Sequence, residues 1–253
     1  MPAEPTRWRW AAASRIGTSH LKAGTRKQDA HVARTLADGT LLVVVSDGAG
    51  SAPFGGQGAS LVCRSMARHV RDWFAGHADM PDDERVLGWI DELRDTLAAA
   101  AENRGVPRRQ FAATLALLVV RDGELMAHQV GDSSIVGRAD GEWEAICWPD
   151  SGEFASTTYF VTDDPQVRLN SVRARSAHDG FAVFSDGIET IALEQAELRP
   201  HAGFFGPMIR PIDGADGTGR LGDLSGALGR YLDGPAVCER TDDDKTLVLV
   251  SGA

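Results

Sequence analysis

Apolar and polar positions in this chain fall into short blocks whose period changes along its length. AHVARTL, TLLVVVS, FAATLALLVV, ELMAHQV, SIVGRA, EWEAICW, FAVFS and TLVLV are β-branched or alternating and end at turn residues, which predicts strands. Ala37-Asp38-Gly39, Arg121-Asp122-Gly123 and Ala139-Asp140-Gly141 join neighbouring blocks, and Asp-Gly between apolar runs predicts antiparallel hairpins. Between the early and middle blocks the period lengthens. Val62, Met66, Val70 and Trp73 share one helical face, and after Pro81 and the cap residue Asp82 so do Val86, Ile90, Leu93, Leu97 and Ala101. Strands, two helices and more strands is an α+β order, not the strict alternation of a doubly wound sheet. From 193 to 235 the chain is rich in Gly and Pro, and its only periodicity is a weak helical one around Leu221 to Leu232. Asp150 to Arg175 is polar and reads as a flap. With no internal repeat, the expectation is one domain over 1–253, with 1–14 as an N-terminal extension.

Composition narrows the partners. Among 253 residues, 36 acidic side chains against 26 basic ones give a formal charge of −10, which argues against a nucleic-acid backbone or an anionic membrane as main partner. Cys63, Cys147 and Cys238 are scattered and form no C-x-x-C pair, so they suggest neither a disulfide framework nor a zinc knuckle. The N-terminal stretch has no apolar signal region and no window holds eighteen apolar residues. A cytoplasmic protein is expected.

Candidate chemistry begins at LLVVVSDGAGSAPFGGQGAS, where an apolar block runs into glycines. A dinucleotide fingerprint would need its third glycine at Pro53 and an acid at a second strand end, but the acid about twenty positions on is Asp72, inside the first helical pattern. No Walker loop, H-E-x-x-H or G-x-S-x-G occurs. A cysteine-dependent phosphatase needs an Arg six positions after its thiolate, and those positions hold His69, Glu153 and Asp244.

The aspartates say more. Nine Asp-Gly pairs occur, and any one of them is more often a turn than a site. Asp47-Gly48 and Asp186-Gly187 differ, because each follows an apolar strand with no prompt return strand. Asp29, Asp132 and the triplet Asp242-Asp243-Asp244 also flank strands. Hard divalent cations take oxygen ligands from separate elements, and carboxylates buried together are costly without one. Such a site requires the fold to bring them together.

In order, GTSHLKAGTRKQDAHV, VVVSDGAGSAPFGGQGAS, FAATLALLVV, VGDSS, FAVFSDGIETI and DDDKTLVLV resemble the successive motifs of the metal-dependent PPM (PP2C-type) Ser/Thr protein phosphatases, in a divergent bacterial-type form. The resemblance spans about Arg15 to Val250. It implies a four-layer α-β-β-α sandwich, with two central antiparallel sheets flanked by helices. It also implies two Mn²⁺ or Mg²⁺ ions bridging a water that attacks phosphorus in line, a weaker third ion, and a phosphoprotein substrate within a Ser/Thr kinase system.

Position by position, Asp47 resembles the aspartate bridging both ions and Gly48 the residue offering a backbone carbonyl. Asp186 and Asp243 resemble ligands of the first ion. Asp29 lies near the second, reached through water, and Asp132 resembles a ligand of the third. The chain departs from the family at three places. Gln28 replaces a glutamate, Gly24 replaces the phosphate-binding arginine, leaving His20 or Arg26 as substitutes, and Ala49 replaces a histidine. These changes bear on substrate anchoring. They leave two further readings to be weighed: a non-catalytic regulator of the same fold, and a phosphatase of small phosphorylated molecules.

Overall fold

The computed structural model describes residues 8–150 and 158–252. Strand β1 (Trp8–Arg15) and the short helix α1 (Thr18–Ala23) lead into β2 (Ala30–Thr35) and β3 (Leu41–Ser46). Two long helices follow, α2 (Gly55–Phe74) and α3 (Asp83–Glu102). Strands β4 (Leu115–Arg121), β5 (Glu124–Val130), β6 (Ser134–Ala139), β7 (Glu142–Cys147), β8 (Asn170–Arg175) and β9 (Gly180–Phe184) come next. The last part holds α4 (Glu189–Ala192), the two-residue strands β10 (Leu193–Glu194) and β11 (Arg199–Pro200), and α5 (Ala202–Asp213). It ends with β12 (Gly219–Arg220), α6 (Gly222–Leu232), α7 (Pro235–Cys238) and β13 (Lys245–Gly252).

One sheet has the order β2-β3-β4-β5-β8 and the other β12-β1-β13-β9-β6-β7. All pairings are antiparallel except that of β1 with β12. Strand β3 shows why these run as unbroken apolar blocks. Leu41, Val43 and Val45 pack between the sheets against Val183, Val248 and Val250, while Leu42 and Val44 face the other way onto Val62, Met66, Ile90 and Leu93 of α2 and α3. With both faces covered, neither set of alternate positions needs to be polar. On the far side, Phe205, Ile209, Leu228 and Leu232 of α5 and α6 cover Leu247 and Leu249. The result is a helix–sheet–sheet–helix sandwich.

Two of the expected hairpins have the geometry that Asp-Gly supplies. Asp122 and Gly123 have φ of 50° and 73°, and Asp140 and Gly141 have 52° and 82°, the left-handed pair that a tight twisted hairpin requires. In the 36–40 turn only Gly39 is left-handed, and Asp38 Oδ1 caps it by accepting from the Thr40 amide at 3.0 Å.

Three expectations are corrected. The N-terminal extension does not reach residue 14, because Trp8–Arg15 pairs with β13 along its whole length inside the six-stranded sheet. Trp8, Trp10 and Ala12 point between the sheets and Ala11 and Ala13 toward α5 and α6, so the small alanines let a helix layer close in. The polar stretch 150–175 is not all flap: 170–175 is the exposed edge strand β8 paired with β5, while 151–157 lies outside the described residues. The Gly/Pro-rich 193–235 region contains two helices. Pro207 and Pro211 sit within α5, whose apolar face Phe204, Phe205, Ile209 and Ile212 is buried against the sheet.

Candidate metal centre

Strand register brings the aspartates together. Ala30 pairs with Ser46, Val45 with Ala116 and Leu115 with Val130, so the start of β2 and the ends of β3 and β5 share one edge of the five-stranded sheet. Ser134 and Leu247 both pair with Phe184, so the starts of β6 and β13 and the end of β9 share one edge of the other. The chain steps from the first edge to the second between Val130 and Ser134. Asp29, Asp47, Asp132, Asp186 and Asp243 each lie one to three residues beyond one of these strand ends.

Asp47, Asp132 and Asp186 bring carboxylate oxygens within 4.8 Å of one another. Asp29 is buried beside Asp47. Its Oδ2 accepts hydrogen bonds from the Ser185 hydroxyl at 2.7 Å and the Thr246 hydroxyl at 2.6 Å, so the end of one sheet clasps a carboxylate delivered by the other. Asp132 Oδ2 accepts from the Thr158 hydroxyl at 2.6 Å. The backbone of Asp47 is held from both sides by Thr114, whose hydroxyl accepts from the Asp47 amide at 2.9 Å while its own amide donates to the Asp47 carbonyl at 2.8 Å. Asp243 stands outside the three-carboxylate group but raises the proton affinity of both Asp47 and Asp186 through its charge.

The two glycines that follow Asp47 and Asp186 are not at left-handed φ, unlike the hairpin glycines. Space is what they supply. A Cβ on Gly48 would overlap the Gly55 backbone at the start of α2, and a Cβ on Gly187 would overlap the Asp244 carbonyl. The two Asp-Gly pairs without a return strand therefore mark close backbone approaches that draw α2 and the 242–244 loop onto the site.

The cluster does not tolerate its own charge. Burial pushes the Asp47 carboxyl well above the ordinary carboxylate range, and Asp29, Asp186 and Asp243 push it further. Burial, then Asp132, Asp243 and Asp29, lifts Asp186 to about 8. Asp29 and Asp132 are raised chiefly by burial, and their serine and threonine donors offset only part of it. Glu189 is raised by burial and by Asp132. Among the described residues no Lys, Arg or His forms an ion pair with any of the five aspartates. Asp29 Oδ1 and Asp132 Oδ1 are buried with no hydrogen-bond donor. Acceptor oxygens with neither donor nor cation partner are what a hard divalent cation satisfies, so the donor set fits Mg²⁺ or Mn²⁺.

Several residues beyond the candidate ligands shape this site. Asp244 is fully buried. It accepts from the Gly17 amide at 2.6 Å and from the Gln28 amide, and so ties the loop that presents Asp29 to the loop that presents Asp243. Its place beside Asp243 was the available signal. Ser185 and Thr246 lie inside the quoted motifs, whereas Thr158 sits in a polar stretch with no pattern. His20 leans on Asp244, with Nδ1 3.3 Å from Oδ1 at an angle that makes no hydrogen bond. Arg26 is exposed on a groove shared with Gln28 and the 50–54 loop.

A four-layer sandwich with strand-end aspartates gathered at one end is the architecture of metal-dependent phosphatases, and a family model for protein phosphatase 2C matches residues 16–229. The chain belongs to the protein phosphatase 2C family. It is 36% identical over 248 residues to serine/threonine-protein phosphatase 3 of Escherichia coli (strain K12), covering 96% of this chain and 97% of that one. The fold is similar to that of PppA, a key regulatory component of T6SS in Pseudomonas aeruginosa, with TM-score 0.66, 21% identity and 98% of both chains covered. It is also similar to that of the catalytic domain of the serine/threonine protein phosphatase PstP in complex with two manganese ions, with TM-score 0.66, 16% identity and coverage of 98% of this chain and 99% of that one. The matched family range ends before Asp243.

Proposed function

We propose that this chain hydrolyses phosphoserine and phosphothreonine esters of proteins with two Mn²⁺ or Mg²⁺ ions held at the aspartate cluster. The observation that carries the reading is five aspartates gathered at one end of the sandwich with no cationic side chain paired to them among the described residues, in a member of the protein phosphatase 2C family. Asp47, central to the cluster, with the Gly48 carbonyl beside it, would hold both ions. Asp186 and Asp243 complete the first ion. Asp29, fixed by Ser185 and Thr246, would reach the second through water, and Asp132 would help hold a weaker third. When bound, such ions lower the pKa of a water and compensate charge on the phosphoryl oxygens.

The protein residues fix direction and exclude competing partners. Ser185 and Thr246 hold one Asp29 oxygen, leaving the other turned to the cluster. Thr158 does the same for Asp132. Arg26, exposed at the groove mouth, and His20, resting on Asp244, are the candidate contacts for the substrate phosphate. The partner is a phosphoprotein made by a Ser/Thr kinase, and three free cysteines suit the reducing cytoplasm.

An aryl phosphate assay with Mn²⁺ titration tests this. Turnover is expected to require metal, to stop with chelator and to be lost in Asp186→Asn; a purified, folded Asp186→Asn protein that keeps wild-type turnover would overturn the reading.

A further inference from the structure

We propose that a groove running from the metal centre to the α2–α3 edge binds the acidic flank of a phosphoprotein substrate; this rests on the phosphatase reading above. Two depressions, of about 510 and about 590 Å³, adjoin at Gln57. The first begins at Gln28 and Gly50, next to Asp29, and the second ends between the helices at Arg64 and Asn103. In a chain of net charge −10, neither is lined by a single Asp or Glu. Both are lined by arginine: Arg26 in the first, Arg64 and Arg104 in the second.

These arginines are available for a ligand. Arg94, Arg108, Arg138 and Arg173 are each paired with a carboxylate, whereas Arg26, Arg64 and Arg104 have no such partner among the described residues. Arg104 is pre-positioned at the junction. Its guanidinium lies 4.8 Å over the Phe54 ring and 5.9 Å over that of Phe111, and it donates to Gln57 Oε1 at 2.5 Å. Phe54 and Phe111 are themselves stacked at 5.1 Å. A guanidinium held on an aromatic step retains donors for a carboxylate and loses little freedom on binding. Lys27, by contrast, also lines the first depression but turns its ammonium inward to Ser14 and the Asp29 carbonyl.

The net negative charge does not defeat this, because at physiological salt fields are screened over about 8 Å. Along its walls the occupant meets arginines, neutral polar side chains and the Phe54–Phe111 step, and no carboxylate. An extended peptide with Asp or Glu beyond its phosphorylated residue matches that lining.

The test compares phosphoserine peptides that differ only in carrying acidic or neutral flanks, for the wild type and for Arg64→Glu and Arg104→Gln, with an aryl phosphate as the flank-free reference. The wild type is expected to prefer the acidic flank in kcat/KM through a lower KM, by about threefold per charge contact, with the preference lost at high salt and reduced in each variant. Equal kcat/KM for both flanks in the wild type would overturn the proposal, as would variants that lower turnover of the aryl phosphate and both peptides alike. If the wild type hydrolyses no ester at all, the catalytic reading falls. The groove is then tested by fluorescence anisotropy of a labelled acidic peptide, which must bind the wild type more tightly than Arg64→Glu.

Discussion

Asp186 shows how one residue's environment reaches measurable behaviour. Its carboxyl is lifted from the ordinary range to about 8 by burial and by the charges of Asp132, Asp243 and Asp29. The ordinary value for an aspartate, which the unfolded chain is taken to have, is 3.8. Between those values the metal-free folded state holds a proton that the unfolded state has released, so stability must fall as pH rises, at up to about 1.4 kcal/mol per pH unit for one proton. Thermal melts of metal-free protein from pH 5 to 8 are expected to show a declining Tm, flattened in Asp186→Asn, which has no charge to desolvate. A metal-free Tm that rises over that range would contradict the electrostatic account. Asp244 gives a second prediction at this scale. Because it holds the Gly17 and Gln28 amides, Asp244→Ala is expected to weaken Mn²⁺ binding by about 10- to 100-fold, while Asp244→Asn, which keeps an acceptor oxygen, recovers part of it; calorimetric Mn²⁺ titration separates the two.

At the scale of elements, Gly187 and β1 carry the strongest expectations. A Cβ at 187 meets the Asp244 carbonyl, so Gly187→Ala should cost about 1–3 kcal/mol in denaturant unfolding and displace the loop that carries Asp243. Removing residues 1–14 deletes nearly all of a strand flanked by β13 and β12, and circular dichroism should then show no cooperative unfolding transition. Why β1 was unreadable while β3 was plain is a matter of side-chain size. LLVVV announces a buried strand, but WRWAAASR is Ala-rich, and alanine is a weak strand former whose burial here depends on α6 packing over it. Prolines hid α5 in the same way: Pro207 and Pro211 argue locally against a helix that the burial of Phe205 and Ile209 then enforces. The aspartates were legible as strand-end residues, and the Asp-Gly pairs at 47 and 186 stood out because no return strand followed. That Asp132 joins Asp47 and Asp186 more closely than Asp243 does could come only from the register and the step between sheets. Thr158, His20's contact with Asp244, and the clasp of Ser185 and Thr246 on Asp29 depend on contacts between segments far apart in sequence, which periodicity does not encode.

The molecule as a whole is two sheets whose facing edges present like charges. Its hydrophobic layers are well filled: Leu41 to Val45 are fully buried, and so are Phe181, Phe184 and Phe205. The cost is concentrated at one end, where burial and mutual repulsion raise the proton affinity of Asp29, Asp47, Asp132 and Asp186. On the proposed reading, metal binding would be coupled to folding across both sheets, since Asp29 and Asp47 come from one and Asp186 and Asp243 from the other. A ligand that binds only the folded state at a hundred times its dissociation constant adds about 2.7 kcal/mol. For a chain of this size that corresponds to a rise in Tm of roughly 5–10 °C. Mn²⁺ added to chelator-treated protein is expected to produce that rise, and the rise should grow from pH 6 to pH 8 as protons cease to compete for the aspartates. Asp47→Asn, which removes the carboxylate at the centre of the cluster, should abolish most of it, whereas an exposed aspartate such as Asp122 in the β4–β5 turn can be changed to Asn with the full metal effect retained. An Mn²⁺ shift that is independent of pH and survives Asp47→Asn would mean that the ion stabilises the protein from somewhere other than the sheet edges.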